Sequence, residues 1–148
     1  MLTISDSRTE ADDVSGDWIT SLLGTAGHIV HGRALVPDDP ILVEKTIREN
    51  AGTVDVVITT GGTGITSRDS TFEAIDRLLE KRLDGFGELF RVLSYEEIGS
   101  AAMLTRACAG TLGRTAIFSL PGSEHAVRLG MTKLILPEIG HVVRELNR

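Results

Sequence analysis

The sequence predicts a single α/β domain over residues 1–148 with a largely parallel sheet. Three observations carry this. Short β-branched runs alternate with stretches of helical periodicity, the pattern of strand–helix–strand units. Val56-Val57-Ile58 is continuously β-branched, as where helices cover both faces of a strand. Glycine is abundant, 16 of 148 residues, without any repeat, which points to loops that need close backbone approach.

The elements follow in order. Leu2 to Ile4 reads as a first, very short strand. Ser15-Gly16 opens a helix whose Ile19, Leu22, Leu23 and Ala26 share one face, and Gly27 ends it. His28 to Val36 reads as a second strand. Asp39-Pro40 starts a helix, a carboxylate cap followed by proline at the first helical position, with Val43, Ile47 and Ala51 as its stripe and Gly52 as its close. Val54 to Thr60 is a buried strand. Ser70-Thr71-Phe72-Glu73 has the form of a capping box, and Phe72, Ile75 and Leu79 are expected on the core side of the helix it opens. A further helix after Gly85 carries Phe86, Leu89, Phe90 and Leu93. Ser100 to Ala107 reads as a short helical piece and Leu112-Gly113-Arg114 as a turn. Thr115 to Leu120 is a late strand ending in Pro121-Gly122. Ser123 caps the next helix, which Pro137 separates from a last helix with Ile139, Val142, Val143 and Leu146.

Composition narrows the function. Fifteen Lys and Arg against 21 Asp and Glu give a net charge of −6, and no basic block exists, which argues against a nucleic-acid partner. No apolar run approaches the ~18 residues of a membrane span. The start Met1-Leu2-Thr3-Ile4-Ser5-Asp6 lacks the form of a signal peptide, so a soluble cytoplasmic protein is expected. Cys108 is the only cysteine; a disulfide within the chain and a structural zinc site are excluded, and a small core residue is expected there. His28 and His31, three apart on the expected strand, point to opposite faces and cannot share a metal; His125 and His141 fit no ligand spacing.

Ligands of open α/β sheets bind beyond the carboxyl ends of the strands. Here those ends carry Ser5-Asp6-Ser7-Arg8, Pro37-Asp38-Asp39, Gly61-Gly62-Thr63-Gly64 followed by Arg68-Asp69-Ser70, and Pro121-Gly122-Ser123. The glycine loop is either a tight turn or a nest of backbone N–H groups for an anion, helped by the dipole of the helix after it. It is neither a Walker A loop nor Gly-x-Gly-x-x-Gly, which disfavours a P-loop hydrolase and a Rossmann dehydrogenase. Asp38 and Asp69 converge on the same rim. Beside a phosphate they are useful mainly with Mg²⁺ between them; otherwise they are a helix cap and a first-turn dipole partner. Arg8 and Arg68 are either phosphate clamps or surface ion pairs.

Thr59-Thr60-Gly61-Gly62-Thr63-Gly64 followed by Arg68-Asp69-Ser70-Thr71 resembles the signature of the molybdopterin-binding MoaB/MogA family. The same pattern is matched in order by Ser5-Asp6-Ser7-Arg8 with Asp13-Val14-Ser15-Gly16, Val36-Pro37-Asp38-Asp39, Gly85 to Arg91, Leu104-Thr105-Arg106 with Ala109-Gly110, and Leu120-Pro121-Gly122-Ser123. Leu93 to Gly99 resembles the MoaB branch more closely. Phe72 and Glu124 stand where many relatives have proline, Thr105 where serine is frequent, and relatives usually carry more apolar residues ahead of Leu2.

The resemblance implies a three-layer αβα sandwich with a mostly parallel central sheet, the MogA-like fold. It implies a role in molybdenum cofactor biosynthesis. Active relatives adenylylate molybdopterin with Mg-ATP and release pyrophosphate. Asp38 and Asp69 map onto the family's functional aspartates, with Mg²⁺ as cofactor and ATP as co-substrate. Ser5, Asp6, Arg8, Gly61, Gly62, Thr63, Gly64, Arg68, Ser70, Pro121, Gly122 and Ser123 are expected to bind substrate. A homotrimer or homohexamer is expected. The alternatives are a non-catalytic carrier of molybdopterin or a precursor, and a protein whose role is assembly with partners.

Overall fold

A computed structural model describes residues 1–148. The strands are β1 (Leu2–Ile4), β2 (Ala34–Val36), β3 (Val56–Gly61), β4 (Lys81–Arg82), β5 (Cys108–Leu112) and β6 (Thr115–Leu120). The helices are α1 (Val14–Thr25), α2 (Pro40–Asn50), α3 (Thr71–Leu78), α4 (Asp84–Ile98), α5 (Glu124–Gly130) and α6 (Leu136–Leu146). The six strands form one sheet in the order β2-β1-β3-β6-β5-β4. The first four run parallel; β5 and β4 are antiparallel additions.

Side chains alternate across the sheet, so each strand feeds two cores. Ile58, Ala116, Phe118 and Leu120 pack with α1, α4, α5 and α6 through residues such as Ile19, Phe90, Val127, Met131 and Ile139. Leu2, Ile4, Val57 and Ile117 pack with α2 and α3 through Val43, Ile47, Ile75 and Leu78. That is the expected αβα sandwich, and Cys108 is a core residue of the second side. Burying each such aliphatic side chain contributes about 1.5–3 kcal/mol. No helix is long and apolar enough to cross a membrane.

Several local expectations hold. Asp39 caps α2 by accepting from the N–H of Ile41 and Leu42, with Pro40 just inside. Ser123 caps α5 by accepting from Ala126 N–H. After α1, Gly27 N–H donates to Gly24 O and His28 N–H to Leu23 O, a Schellman close.

Others are corrected. The second strand covers only Ala34–Val36, each residue paired with one of the three residues of β1. His28–Arg33 is irregular, so the alternation argument for His28 and His31 does not apply. Between that segment and β3 lies a cavity of about 620 Å³, floored by Leu23, Ile47, Ile139 and Val143. Ser70 makes no capping bond with its side chain, and Glu73 pairs with Arg106 instead. Ile75 is fully buried as expected and Phe72 and Leu79, half-buried, pack against the same core, to which Ala74 and Leu78 are added. In α4 the inward face is Phe86, Gly87, Phe90 and Ser94, leaving Leu89 exposed. Gly87 explains the rotation: a Cβ there would stand 2.8 Å from Ala107 O, so the helix leans on the β5 side through its glycine. Ala26 is exposed. Cys108–Leu112 is a strand that the periodicity did not suggest, joined to β6 by the Gly113 turn. Ser100 to Ala107 is helical only to Leu104. Pro137 does not break the helix; Met131–Ile135 widens into a π-helical turn between α5 and α6, and the proline sits in the first turn of α6.

Asp13 ties the N-terminus of α1 to the sheet. Its side chain is 1% exposed and accepts from Thr3 Oγ1 at 2.7 Å, Arg33 at 2.8 Å and Gly16 N–H at 3.1 Å. Burial alone would raise this carboxyl; the bonds from Arg33, Thr3 and Gly16 outweigh it and hold the group below the usual carboxylate range. A carboxyl with a lowered folded pKa stabilises the fold above its unfolded value and loses that contribution as pH falls. Thermal melts are therefore expected to fall on acidification below about pH 4. Asp13→Ala should cost about 2 kcal/mol at neutral pH and flatten that acid limb.

Candidate functional site

The strand order places a topological switch between β1 and β3. The chain leaves β1 through α1 on one face of the sheet and returns to β3 through α2 on the other. A crevice opens beyond the carboxyl ends of those two strands, where α/β sheets bind ligands. Ser5 and Gly62 follow directly there.

Hydrogen bonds lash the strand ends together. Arg8 Nη2 donates to Gly122 O at 2.7 Å, and Ser15 Oγ to the same carbonyl at 2.9 Å. Asp6 Oδ1 accepts from Asp38 N–H at 2.9 Å. Thr60 Oγ1 donates to Pro121 O at 3.0 Å. Ser5 Oγ closes its own turn by accepting from the N–H of Ser7 and Arg8. Ser5, Asp6, Arg8 and Pro121 therefore build the socket, and Ser123 is occupied as a helix cap. Arg68 lies exposed at the rim with no ion pair, and Ser70 is exposed beside it.

The glycine loop forms the socket floor. Gly61 has φ 93° and Gly62 φ 66°, and a Cβ on Gly61 would stand 2.1 Å from Ile4 O. Only glycine admits that backbone so close to its neighbour. Gly122 closes the far side, its Cβ position 3.3 Å from Gly61 Cα. Asp38 Oδ1 reaches the loop, 3.3 Å from where a Cβ on Gly62 would stand, and is buried with no hydrogen-bond partner. Asp69 lies against Gly64, and its Oδ2 accepts from Thr66 N–H at 2.7 Å. Hydrogen bonding to Thr66, with Arg106 and Arg68 nearby, holds the Asp69 carboxyl below the usual range, so it is ionised throughout neutral pH.

These carboxylates suit a hard cation. An orphaned, buried carboxylate oxygen is costly until something positive meets it. The chain gathers no set of three or more His, Cys, Asp or Glu side chains able to hold an ion. Asp38 and Asp69, both against the glycine loop, are the carboxylates that could reach Mg²⁺ carried in on a substrate's phosphates. Burial pushes the Cys108 thiol up to about 12, so it offers no thiolate ligand.

Two residues at the site were not among the expected binders. Arg106 donates to Thr63 O and Gly64 O, pairs with Glu73, and stacks 4.6 Å over the Phe72 ring. A lone arginine leading into the apolar strand Ala107-Cys108-Ala109 was the available signal, since such a charge needs dedicated partners. Thr71, fully buried, has its Cγ2 3.1 Å from where a Cβ on Gly62 would stand and leaves its hydroxyl without a partner; it stands in the Arg68-Asp69-Ser70-Thr71 segment that carries the family resemblance.

A family profile described as "probable molybdopterin binding domain" matches residues 1–141. The chain belongs to this molybdopterin-binding family of molybdenum cofactor biosynthesis. Molybdenum cofactor biosynthesis protein B of Bacillus anthracis is 54% identical, over all of this chain and 89% of its own length. That of Bacillus subtilis is 47% identical, over all of this chain and 89% of its own. A crystal structure of a molybdenum cofactor biosynthesis protein B, 54% identical, superimposes with a TM-score of 0.96 over 99% of this chain and 93% of the other. The tungsten cofactor synthesizing protein MoaB from Pyrococcus furiosus, 43% identical, gives 0.86 over 99% and 94%. Membership in the molybdopterin-binding family agrees with a socket built from glycine backbone and carboxylates rather than from a basic patch.

Proposed function

We propose that the chain adenylylates molybdopterin, with Mg-ATP as co-substrate. A phosphate oxygen of molybdopterin attacks the α-phosphorus of ATP. A new phosphorus–oxygen bond forms, the bond to the β-phosphate's bridging oxygen breaks, and pyrophosphate leaves with that electron pair. The attacking phosphate is largely ionised at neutral pH, with its second pKa near 6, so no general base is required. What the protein must supply is positioning and charge compensation. The observation that carries this reading is the buried, partnerless Oδ1 of Asp38 beside the glycine loop.

Gly61 to Gly64 would seat the pterin phosphate, with Arg68 free to clamp it. Asp38 and Asp69 would hold Mg²⁺. When bound, the ion neutralises phosphate charge and polarises the attacked phosphorus. Arg8, Asp6 and Thr60 keep the strand ends apart by fixed distances, so the two substrates meet in one orientation.

The test is incubation of the protein with molybdopterin and Mg-ATP, followed by chromatography for the adenylylated pterin and pyrophosphate. Pterin binding without product would leave the carrier reading in its place. One observation favours that second reading: Asp69 Oδ2 is already engaged by Thr66.

Assembly into a trimer or a hexamer belongs to the same proposal. Leu89, Val92, Tyr95, Ile98, Met103 and Leu104 form an exposed apolar row along α4 and the turn after it. Such a row is stable in water when another surface covers it. Light scattering is expected to give three or six times the 15.9 kDa chain mass; a monomer would reject it.

A further inference from the structure

We propose that Arg106 is the positioning residue of the glycine loop: its guanidinium holds the carbonyls of Thr63 and Gly64 so that the N–H groups of Gly64 and Ile65 are presented as anion donors. The role of that anion as a pterin phosphate rests on the proposed function; the latch itself does not.

The geometry is specific. Arg106 Nε donates to Thr63 O at 3.2 Å and Nη2 donates to Gly64 O. Nη1 pairs with Glu73 on α3, and the guanidinium plane lies over Phe72, whose ring centroid is 4.6 Å away. The two loop carbonyls are 43 and 42 residues distant in sequence. The Arg106 side chain is 23% exposed, so the fork works in a partly dry setting.

Peptide planarity turns this into an orientation. A trans peptide places C=O and N–H on opposite sides of one rigid plane. Fixing Thr63 O fixes Gly64 N–H, and fixing Gly64 O fixes Ile65 N–H. Both N–H groups then face away from Arg106, and neither has an acceptor within the protein. A glycine-rich loop left to itself samples many orientations of these planes. Holding them in advance removes an ordering cost that binding would otherwise carry.

The fork, rather than the charge, is what the geometry uses. Arginine presents several donors in one plane and can stack on an aromatic ring; lysine offers a point charge. Glu73 balances the charge locally, and its carboxyl is held below the usual range chiefly by the bond from Arg106. Arg106 is thereby directed inward, unlike Arg68, which has no partner.

The test compares wild type, Arg106→Lys and Arg106→Ala as full-length chains. Amide hydrogen exchange is read without ligand at Thr66 and Asp69, the N–H groups of the loop that have acceptors, Asp69 Oδ2 and Thr66 O. Both variants are expected to lose protection there, with β3 and β6 unchanged and melting cooperative. In the adenylylation assay, Arg106→Lys should raise KM for molybdopterin about tenfold or more, as two charge-assisted bonds are lost, with kcat changed far less. Retained loop protection in Arg106→Ala, or wild-type KM in Arg106→Lys, would overturn the proposal. Should wild type neither bind nor adenylylate molybdopterin, the proposed function fails, while the exchange data still decide the latch.

Discussion

Asp38→Asn is expected to lower adenylyl transfer by about a thousandfold while leaving the fold intact. The variant keeps the shape of the side chain and leaves the Asp38 N–H bond to Asp6 untouched, because that bond uses backbone. What it removes is a formal charge on Oδ1, which is buried beside Gly62 without any donor. Cation-mediated charge stabilisation in phosphoryl chemistry contributes several kcal/mol. A loss of about 4 kcal/mol corresponds to about a thousandfold, at 1.36 kcal/mol per decade. Only the Oδ1 atom is buried and the residue is half-exposed, so the asparagine variant should melt close to wild type. Product formation, pterin binding by calorimetry and a thermal melt together check this. Near-wild-type turnover in Asp38→Asn would remove the aspartate from the mechanism.

Gly61→Ala is expected to damage the fold itself. The residue has φ 93°, and a Cβ there would stand 2.1 Å from the carbonyl oxygen of Ile4, a backbone atom of the adjacent strand. Positive φ costs a non-glycine residue roughly 1–2 kcal/mol. Separating β1 from β3 to admit the methyl adds an overpacking cost of about 1–3 kcal/mol. The sum, about 2–5 kcal/mol, should lower the melting temperature by roughly 5 to 20 °C for a domain of this size. Ligand binding should fall with it, because Gly62 follows β3 directly and Asp38 is tied to the end of β1 through Asp6. An alanine variant melting like wild type would show that β1 yields without cost.

Much of the scaffold was legible because it is written in local chemistry. Asp39-Pro40 and Ser123 act as caps through backbone N–H groups two or three residues away, which short-range spacing reveals. The late strand Thr115–Leu120 was bounded correctly because turn residues flank a continuous apolar run. Where expectation and structure part, a longer-range contact decides. Glu73 leaves its capping role for Arg106, 33 residues on. Leu89 turns outward because Gly87 lets α4 approach the sheet, and hydrophobic periodicity counts a glycine as nothing.

By itself, the sequence determined the family resemblance, the α/β class with a largely parallel sheet and the four strand ends that carry Asp, Gly, Ser and Arg. These follow from composition, periodicity and ordered motifs, all readable along one dimension. The tertiary structure decided which polar groups are already engaged and which remain open. Arg8 serves Gly122 O, Asp6 serves Asp38 N–H and Arg106 serves the loop carbonyls, while Asp38 Oδ1 and Thr71 Oγ1 have no partner. That division depends on which strands become neighbours, and pairing between residues tens of positions apart leaves no local trace in the chain.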